Sequence, residues 1–350
     1  MKQKNSFSGQ IGFVFAAAGS AVGVGNLWRF PYLAAKDGGG LFLLIYLVLV
    51  LTVGFVLLTT DIAIGRKTGK SAIYAYESMQ KKWKFLGVIT FLVPVLIMTY
   101  YAVIGGWILR YIVIYLTSSG KQAVADDCFT AFISSPSSVW YGLIFMLLTA
   151  LIVYNGVEEG IERVSKFIMP VLLIMVIGIA IFSLTLKTTL DDGTVRTGLQ
   201  GLKVYMKPDL TGITVGRFLQ ITLDAMSQLF FSLSVSMGIM ITYGSYVKKD
   251  VDLNKAVSQI EIMDTGVAFL AGVMIIPAVF VFSGLDGMSA GPGLMFVSLP
   301  KVFYSMGTVG RVIGILFFVL AGFAALTSCI SVLESITANC MELFHTERKK

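Results

Sequence analysis

The most unusual polar groups of this sequence lie inside an apolar segment near its start. Residues 19–29 contain three glycines, followed by Asn26 and Arg29. Glycines spaced four apart, such as Gly19 and Gly23, also allow helices to pack closely, so the glycines alone leave two interpretations open. Asn26 and Arg29 favour a break in the helix, because an unpaired Arg inside a membrane span costs several kcal/mol. Such a break frees backbone carbonyls to bind a cation and N–H groups to bind an anion.

A second apolar segment repeats this anomaly about 200 residues later. Asp224, Gln228 and Ser232 follow one another at four-residue spacing, so a helix places them on one face. Ser234 and Ser236 follow before Gly238. Serines in such helices usually bond the carbonyl of the preceding turn, so by themselves they do not indicate a binding site. The position of this second interrupted segment in the chain is the stronger evidence for one. Two interrupted helices predict a binding site where the breaks face each other.

Other kinds of chemistry find little support. His345, the single histidine, lies in the polar tail, which excludes a histidine-based triad inside the apolar segments. Cys128, Cys329 and Cys340 have no metal-type spacing. Paired catalytic acids and a Gly-rich phosphate loop with its Lys are also missing, so we expect no enzyme. An intramembrane enzyme is therefore the function that this sequence supports least.

The composition defines the class of protein. The chain has 350 residues, of which 56% are hydrophobic and 13% are charged. Soluble domains carry roughly 25% charged residues, so this chain predicts a polytopic membrane protein rather than a soluble enzyme or a nucleic-acid binder. The net charge of +7 then reflects cytoplasmic loops rich in Lys and Arg, with no nucleic-acid partner.

A helix of about 20 apolar residues crosses a bilayer. Eight stretches of this chain have about that length. They are Gln10–Trp28, Leu41–Thr60, Gly87–Leu109, Phe129–Val157, Phe167–Leu186, Ala225–Val247, Thr265–Leu285 and Val312–Leu333. Strict two-residue alternation is absent, so each stretch is predicted to be a helix. Residues 292–305 are predicted to form a short re-entrant helix.

The basic residues predict the orientation of these spans. With a cytoplasmic N-terminus, 16 of the 27 Lys and Arg residues lie on the cytoplasmic side. Interruptions in the first and sixth spans indicate two five-helix repeats within a single domain, residues 1–350. The first repeat covers about 10–187, and an incomplete second repeat covers about 217–345.

The first interruption carries a recognisable motif. The run from Gly19 to Tyr32, GSAVGVGNLWRFPY, resembles the first-helix signature of the neurotransmitter:sodium symporter family. Further similar blocks follow in the family's order along the whole chain, namely Tyr100-Tyr101, Gln228–Gly238, Ile241–Val247 and Ala324–Ser328. The resemblance implies an all-α LeuT-type inverted repeat, with helices 1 and 6 unwound at the membrane midplane. It also implies sodium-coupled import of an amino acid by alternating access, across a bacterial inner (plasma) membrane.

The resemblance implies two sodium sites made of oxygen ligands, which suit a hard cation. The first would use the Ala21 carbonyl, Asn26, Ser232 and Asp264. The second would use the Gly19 and Val22 carbonyls, Ala324, Thr327 and Ser328.

Some family members have an amide at the position of Asp264. A carboxylate there could supply the negative charge that chloride provides in some animal members, so we expect no chloride requirement. The alternative is that Asp264 only caps or pairs within the bundle.

The resemblance also implies a substrate site between the two breaks. Ala21, Gly23, Gly25 and the Tyr101 hydroxyl would hold a carboxylate, and carbonyls of Phe231, Ser232 and Ser234 would hold an ammonium group. Val24, Ile97, Phe231, Met237 and Val332 would form the side-chain pocket. None of them is charged, which favours a hydrophobic or aromatic amino acid. Plain helix packing is the alternative for Ile97, Met237 and Val332. Ser236-Met237-Gly238 is expected to be extended, although many members have Gly at position 236.

Gates are expected on both sides of this site. Arg29 resembles the basic half of the outer ion pair, and Asp224 is a candidate for its acidic partner. On the inner side, Lys4 and Phe7 match a family Arg and Trp, and Glu342 matches their acidic partner. The chain ends shortly after the eighth span, whereas family members have eleven or twelve helices. The alternative function is therefore a truncated membrane protein that binds or scaffolds without transporting.

Overall fold

The computed structural model describes residues 6–118, 120–125, 127–190 and 192–348, and these residues are almost entirely helical. The helices of the first half are α1 Gln10–Ala21, α2 Val24–Lys36, α3 Gly40–Thr68, α4 Ala72–Met79, α5 Lys81–Ser118, α6 Cys128–Ile133, α7 Pro136–Tyr154 and α8 Val157–Thr185. A short 3₁₀ turn, Lys121–Val124, lies between α5 and α6.

The second half opens with a two-stranded antiparallel hairpin, β1 Lys187–Thr189 and β2 Val195–Thr197, in which Thr188 pairs with Arg196. Its helices are α9 Gly198–Met206, α10 Val215–Ser232, α11 Ile239–Gly244, α12 Leu253–Ser283, α13 Leu294–Ser305 and α14 Thr308–Leu343. The helix α13 confirms the short helix predicted over 292–305.

Within the described residues, six helices are long and apolar enough to cross a membrane, namely α3, α5, α7, α8, α12 and α14. The pair α1 and α2, which is bent by 56°, adds a seventh span if it is counted as one. The chain is therefore an all-α polytopic membrane protein, as its composition predicts. The sixth predicted span, Ala225–Val247, is instead two shorter helices, α10 and α11, separated by residues 233–238.

The predicted start of the fourth span was wrong. The fourth span was expected to begin at Phe129, but α7 begins at Pro136, after the short helix α6 and the serines that precede the proline. Proline is favoured in the first turn of a helix and disfavours helical conformation in the residue before it. Residues 128–157 carry no charge, so an uncharged stretch that runs across the break did not reveal the boundary.

The two predicted helix breaks are present. α1 ends at Ala21, and Gly23 has extended backbone angles before α2 starts at Val24. After α10, Ser234 and Ser236 have φ angles of +53° and +61°, conformations that residues other than glycine seldom adopt. The expectation of an extended Ser236–Gly238 segment was therefore wrong, because the chain turns there.

The broken helices lie at the centre of the bundle. α1 packs against α8, α12 and α14, while α10 packs on α3 and α2. α14 also packs along α5, so both breaks are enclosed by long helices. This arrangement buries the polar groups exposed by the breaks and brings them to one place.

Candidate functional site

A buried carboxylate joins the two broken helices. Oδ1 of Asp264 on α12 accepts a hydrogen bond from Nδ2 of Asn26 at 2.8 Å. The Ser232 hydroxyl lies 2.9 Å from both carboxylate oxygens of Asp264. Nδ2 of Asn26 also lies 3.1 Å from the Ser232 hydroxyl. Three of the four residues predicted for the first sodium site are thus in mutual contact, and the fourth, Ala21, is buried at the C-terminal end of α1.

The break itself orients Asn26. Its side-chain Oδ1 accepts a hydrogen bond from the Gly23 N–H at 3.1 Å, which caps the first turn of α2. No Lys or Arg in the described part of the chain forms an ion pair with Asp264. This buried carboxylate has no basic partner among the described residues, and the groups that contact it are the NH2 of Asn26 and the hydroxyl of Ser232. Such a carboxylate, with the amide and hydroxyl oxygens of the same two side chains nearby, is suited to a hard cation.

The residues predicted for the second sodium site lie where α1 meets α14. The Ser328 hydroxyl donates to the Ser20 carbonyl at 3.1 Å and lies 3.5 Å from the Gly19 carbonyl. A Cβ atom at Gly19 would come within 3.2 Å of Cβ of Thr327. Val22, directly after α1, and Ala324 on α14 are also buried. The hydroxyl of Thr327 is bonded within its own helix, to the carbonyls of Phe323 and Ala324.

A small cavity lies between the breaks, with a volume of about 30 Å³. It is lined by Ser20, Ala21, Gly23, Asn26, Ile97, Tyr101, Phe231, Ser232, Ser234, Met237, Ile239, Ser328 and Val332. This volume holds a water molecule or two but no amino-acid side chain. Lining side chains must therefore move to admit a larger molecule.

Nine of the eleven predicted substrate residues line this cavity, and the other two contact it indirectly. The Val24 N–H donates to the Tyr101 hydroxyl at 3.3 Å. Gly25 packs under the ring of Phe231, because a Cβ atom at Gly25 would lie 2.5 Å from Cε1 of that ring. Ser20 and Ile239 line the cavity without having been predicted. Both residues lie close to the breaks in the sequence, and this position could have identified them as lining residues.

The end of the bundle toward α2 and α10 contains a polar cluster. Arg29 donates to Oε1 of Gln228 at 3.1 Å and to the Ser227 hydroxyl at 2.9 Å. Asp224 does not pair with Arg29 in this structure, because its carboxylate pairs with Lys36 at 2.9 Å. The hypothesis that Asp224 is the acidic partner of Arg29 therefore fails on geometry.

A second acid joins the same cluster through the loop between α2 and α3. Asp37 pairs with Arg217 at 2.8 Å and lies 3.9 Å from Lys36. Burial raises the pKa of Asp37, while Lys36 and Arg217 oppose this shift. Together with the Lys36–Asp224 pair, these contacts tie α2 to α10.

At the opposite end of the bundle, Glu342 caps a helix. Both of its carboxylate oxygens lie 3.1 Å from the N–H of Ser71, at the start of α4. Asn339 accepts from the Ile73 N–H at 3.1 Å, so α14 satisfies two amides of that helix. Lys4, the predicted partner of Glu342, lies outside the described residues.

The same end is closed by aromatic and ionic contacts. The buried ring of Phe7 packs edge-on against Tyr243 and Tyr246, with centroid distances of 5.6 and 6.3 Å. The Tyr246 hydroxyl donates to Oε1 of Glu334 at 2.7 Å. Nη2 of Arg348 donates to the same oxygen at 2.7 Å. Sequence reasoning missed this pair, although an acid inside an apolar helix was a usable signal.

A further acid supports the second break. Oδ2 of Asp61 on α3 accepts a hydrogen bond of 2.8 Å from the N–H of Ser236. The Ser234 hydroxyl donates to the Ser20 carbonyl at 3.3 Å. These bonds satisfy backbone groups that the non-helical segment would otherwise leave unpaired in the interior. Asp61 was not among the predicted residues.

A bundle of apolar helices whose broken members face each other around a buried carboxylate defines a secondary transporter. The chain belongs to the sodium:neurotransmitter symporter family, whose family model matches residues 4–135 and 123–350. It is a sodium-coupled transporter with several membrane-spanning helices, as the resemblance in the sequence implied.

Individual relatives agree with this assignment. The sodium-dependent transporter YhdH of Bacillus subtilis (strain 168) is 38% identical over 98% of this chain and 74% of its own length. A human sodium- and chloride-dependent taurine transporter is 25% identical over 99% of this chain and 62% of its own length. The crystal structure of MhsT in complex with L-phenylalanine superimposes with a TM-score of 0.85 at 38% identity, covering 99% of this chain and 77% of that one.

Proposed function

We propose that this transporter imports a hydrophobic or aromatic amino acid together with sodium. The observation that carries the proposal is the position of Asp264, whose hydrogen bonds to Asn26 and Ser232 place a carboxylate at the edge of the cavity. Apart from polar groups at the breaks, the cavity is lined by Ile97, Met237, Ile239 and Val332, together with two aromatic rings. The phenylalanine complex of MhsT, which is 38% identical to this chain, supports this choice of substrate.

The ends of the broken helices suit the two charged groups of an amino acid. The N-terminus of α2 presents the amides of residues 23–25 beside the Tyr101 hydroxyl, which favours a carboxylate. Phe231 and Ser232 at the C-terminal end of α10, and Ser234 just after it, line the cavity, and their carbonyls would hold the ammonium group. None of the described residues that line the cavity has a charged side chain, so helix ends rather than ion pairs would hold the substrate.

Two sodium sites are part of the proposal. Ala21, Asn26, Ser232 and Asp264 would hold the first ion, next to the substrate carboxylate. Gly19, Val22, Ala324, Thr327 and Ser328 would hold the second, where α1 meets α14. The contacts of Asp264 and of Ser328 support these assignments, because each joins a broken helix to a continuous one. Sodium binding would thereby stabilise one arrangement of the broken helices relative to their neighbours.

We also propose that transport does not require chloride. The taurine relative is named as chloride-dependent. In this chain the Asp264 carboxylate would itself supply a negative charge beside the proposed first sodium site.

Alternating access requires one closed gate on each side. We propose that Phe7 and the Tyr246–Glu334–Arg348 contacts close the inner side, together with the predicted Lys4–Glu342 pair. Arg29 and its bonds to Gln228 and Ser227 would close the outer side above Phe231. This orientation assumes the cytoplasmic N-terminus and bacterial inner membrane that the distribution of basic residues favours.

Uptake of labelled amino acids into proteoliposomes tests the proposal. With an inward sodium gradient, the 350-residue chain should accumulate phenylalanine or leucine, and a potassium gradient should give no uptake. Sodium-dependent binding without uptake would instead support the alternative of a binding or scaffold protein. Absence of binding in both salts would contradict the substrate assignment.

A further inference from the structure

A groove separate from the central cavity opens at the end of the bundle where α14 begins. Its volume is about 620 Å³. It lies between the C-terminal end of α5, the turn at residues 120–121, the end of α13 and the first turn of α14. Its lining residues are Tyr115, Ser118, Gly120, Lys121, Phe303, Tyr304, Gly307, Thr308, Gly310 and Arg311.

The charged side chains that line the groove are basic. Lys121 and Arg311 line it, and no Asp or Glu is among the described residues that do so. Arg311 donates from Nε and Nη2 to the carbonyls of Tyr115 and Leu116, at 3.3 and 2.8 Å, which leaves Nη1 for another acceptor. α14 begins here after Gly307, without a side-chain cap on its first N–H groups. The positive end of a long helix adds to the two basic side chains.

A buried hydroxyl in the wall of the groove lacks a partner. Tyr115 is 2% exposed, and its hydroxyl has no hydrogen-bond partner among the described residues. Its Cζ atom, which bears the hydroxyl, is 3.0 Å from the Cβ position of Gly120, a residue of the groove. A buried hydroxyl without a partner costs about 1–3 kcal/mol, so a ligand that bonds it would be stabilised.

Exposed apolar side chains lie next to the groove residues along the same helices. Leu116 on α5 and Val309 and Val312 on α14 are each at least half exposed. Tyr304, which lines the groove, is 53% exposed, as is typical of an aromatic residue at a membrane–water interface. Basic groups above an exposed apolar stripe match the chemistry of a phospholipid, which joins a phosphate to acyl chains.

We propose that this groove binds the phosphate of an anionic phospholipid in the leaflet at this end of the bundle. Lys121, Nη1 of Arg311 and the first amides of α14 receive the phosphate, and the acyl chains lie along Leu116, Val309 and Val312. A free anion would use the basic groups but would leave the apolar stripe unexplained. The proposal does not depend on which amino acid is transported.

Lipid retention in nanodiscs tests this site. The chain is placed in discs of equal phosphatidylglycerol and phosphatidylcholine, and the bound lipids are counted by native mass spectrometry. Phosphatidylglycerol should be enriched on the protein. Since a basic residue near a membrane surface contributes about 1 kcal/mol of attraction to anionic lipid, Lys121→Gln and Arg311→Gln should each lower the enrichment about fivefold.

Controls separate a specific site from general surface charge. Lys203→Gln on α9 removes the same charge from another exposed position and should leave the enrichment unchanged. Arg311→Lys should retain most of it. Equal losses in Lys121→Gln and Lys203→Gln, or no enrichment in the parent chain, would overturn the proposal. Inorganic phosphate that binds in detergent as tightly as the lipid does would overturn the lipid assignment.

Discussion

The carboxylate of Asp264 accepts a hydrogen bond of 2.8 Å from the amide of Asn26, although the two residues are 238 positions apart in the chain. Asn26 belongs to the first broken helix, and Asp264 belongs to a continuous helix. Ser232, at the end of the second broken helix, bonds to the same carboxylate. The carboxylate of Asp264 thus connects three helices through hydrogen bonds. It is also the group whose charge sodium is proposed to neutralise.

Replacing Asp264 with Asn should weaken sodium binding and make it depend on chloride. Loss of one charged hydrogen-bonding ligand costs about 1.5–3 kcal/mol, which corresponds to roughly 10- to 100-fold in sodium affinity. Sodium titrations of phenylalanine binding, in chloride and in gluconate, measure both effects. Asp250→Asn, in an exposed turn, is the control and should behave as the parent chain does. A parent chain whose binding disappears in gluconate would contradict the chloride proposal.

Gly25→Ala should impair substrate binding, because the new Cβ would lie 2.5 Å from the ring of Phe231. The ring must then shift toward the cavity, and overpacking of this kind costs about 1–3 kcal/mol. We expect a Kd for the substrate that is roughly 5- to 150-fold higher. Gly178→Ala is the matched control, since its Cβ meets nothing within 4 Å. Equal Kd values for the two variants would show that Phe231 does not border the binding site.

Tyr101→Phe should lower substrate affinity while the protein stays folded. The change removes the hydroxyl that accepts from the Val24 N–H at 3.3 Å and that is proposed to bond the substrate carboxylate. A lost hydrogen bond to a charged group predicts roughly tenfold or more in Kd. Isothermal titration compares this variant with Tyr100→Phe, whose ring is 44% exposed on the bundle surface. A larger effect at Tyr100 would contradict the assigned site.

Arg348→Gln should open the inner side of the bundle. It removes the basic partner of Glu334, which is fully buried, and an uncompensated buried charge is destabilising by about 3–5 kcal/mol. The alkylation rate of a cysteine placed at Ala338, in a chain without its native cysteines, measures the change and should rise severalfold. Arg348→Lys keeps the charge and should show a smaller rise. An unchanged rate in Arg348→Gln would remove this pair from the inner gate.

Ser236→Gly should stabilise the protein. Ser236 has a φ of +61°, which costs a residue with a side chain about 1–2 kcal/mol relative to glycine. Its N–H bond to Asp61 is made by the backbone and persists in the variant. Thermal unfolding in detergent should show a higher Tm. Ser258→Gly, on a half-buried helical position of α12, should instead lower the Tm. A lower Tm for Ser236→Gly would mean that its side chain contributes more than the strain costs.

Much of the site was predictable because its residues are locally marked. Glycines, an amide and serines inside apolar segments conflict with an ordinary membrane helix, so both breaks could be located from the sequence. Asp264 and Tyr101 followed from the resemblance to a family, whose motifs identify them without any knowledge of distances. The lining of the cavity by nine predicted residues reflects this local information.

Contacts between distant helices were less predictable. Asp224 was expected near Arg29 because both lie near a break, but Lys36 is the residue that it reaches. The Glu334–Arg348 pair and the Asp61–Ser236 bond also could not be predicted. The two residues of each pair do not lie at a helical spacing of three or four, so no pattern in the sequence connects them. The inner pair predicted from Lys4 and Glu342 stays a prediction, and Glu342 caps α4 in the structure.

The sequence by itself determined that this is a helical membrane protein, which helices are interrupted and which family it belongs to. Those properties follow from hydropathy, from residues that break helices and from local motifs, all of which act over a few turns. Only the tertiary structure decided which partner each buried polar group has and how small the central cavity is. The physical reason is that packing of whole helices sets these distances, so a partner is chosen by proximity in space and not along the chain.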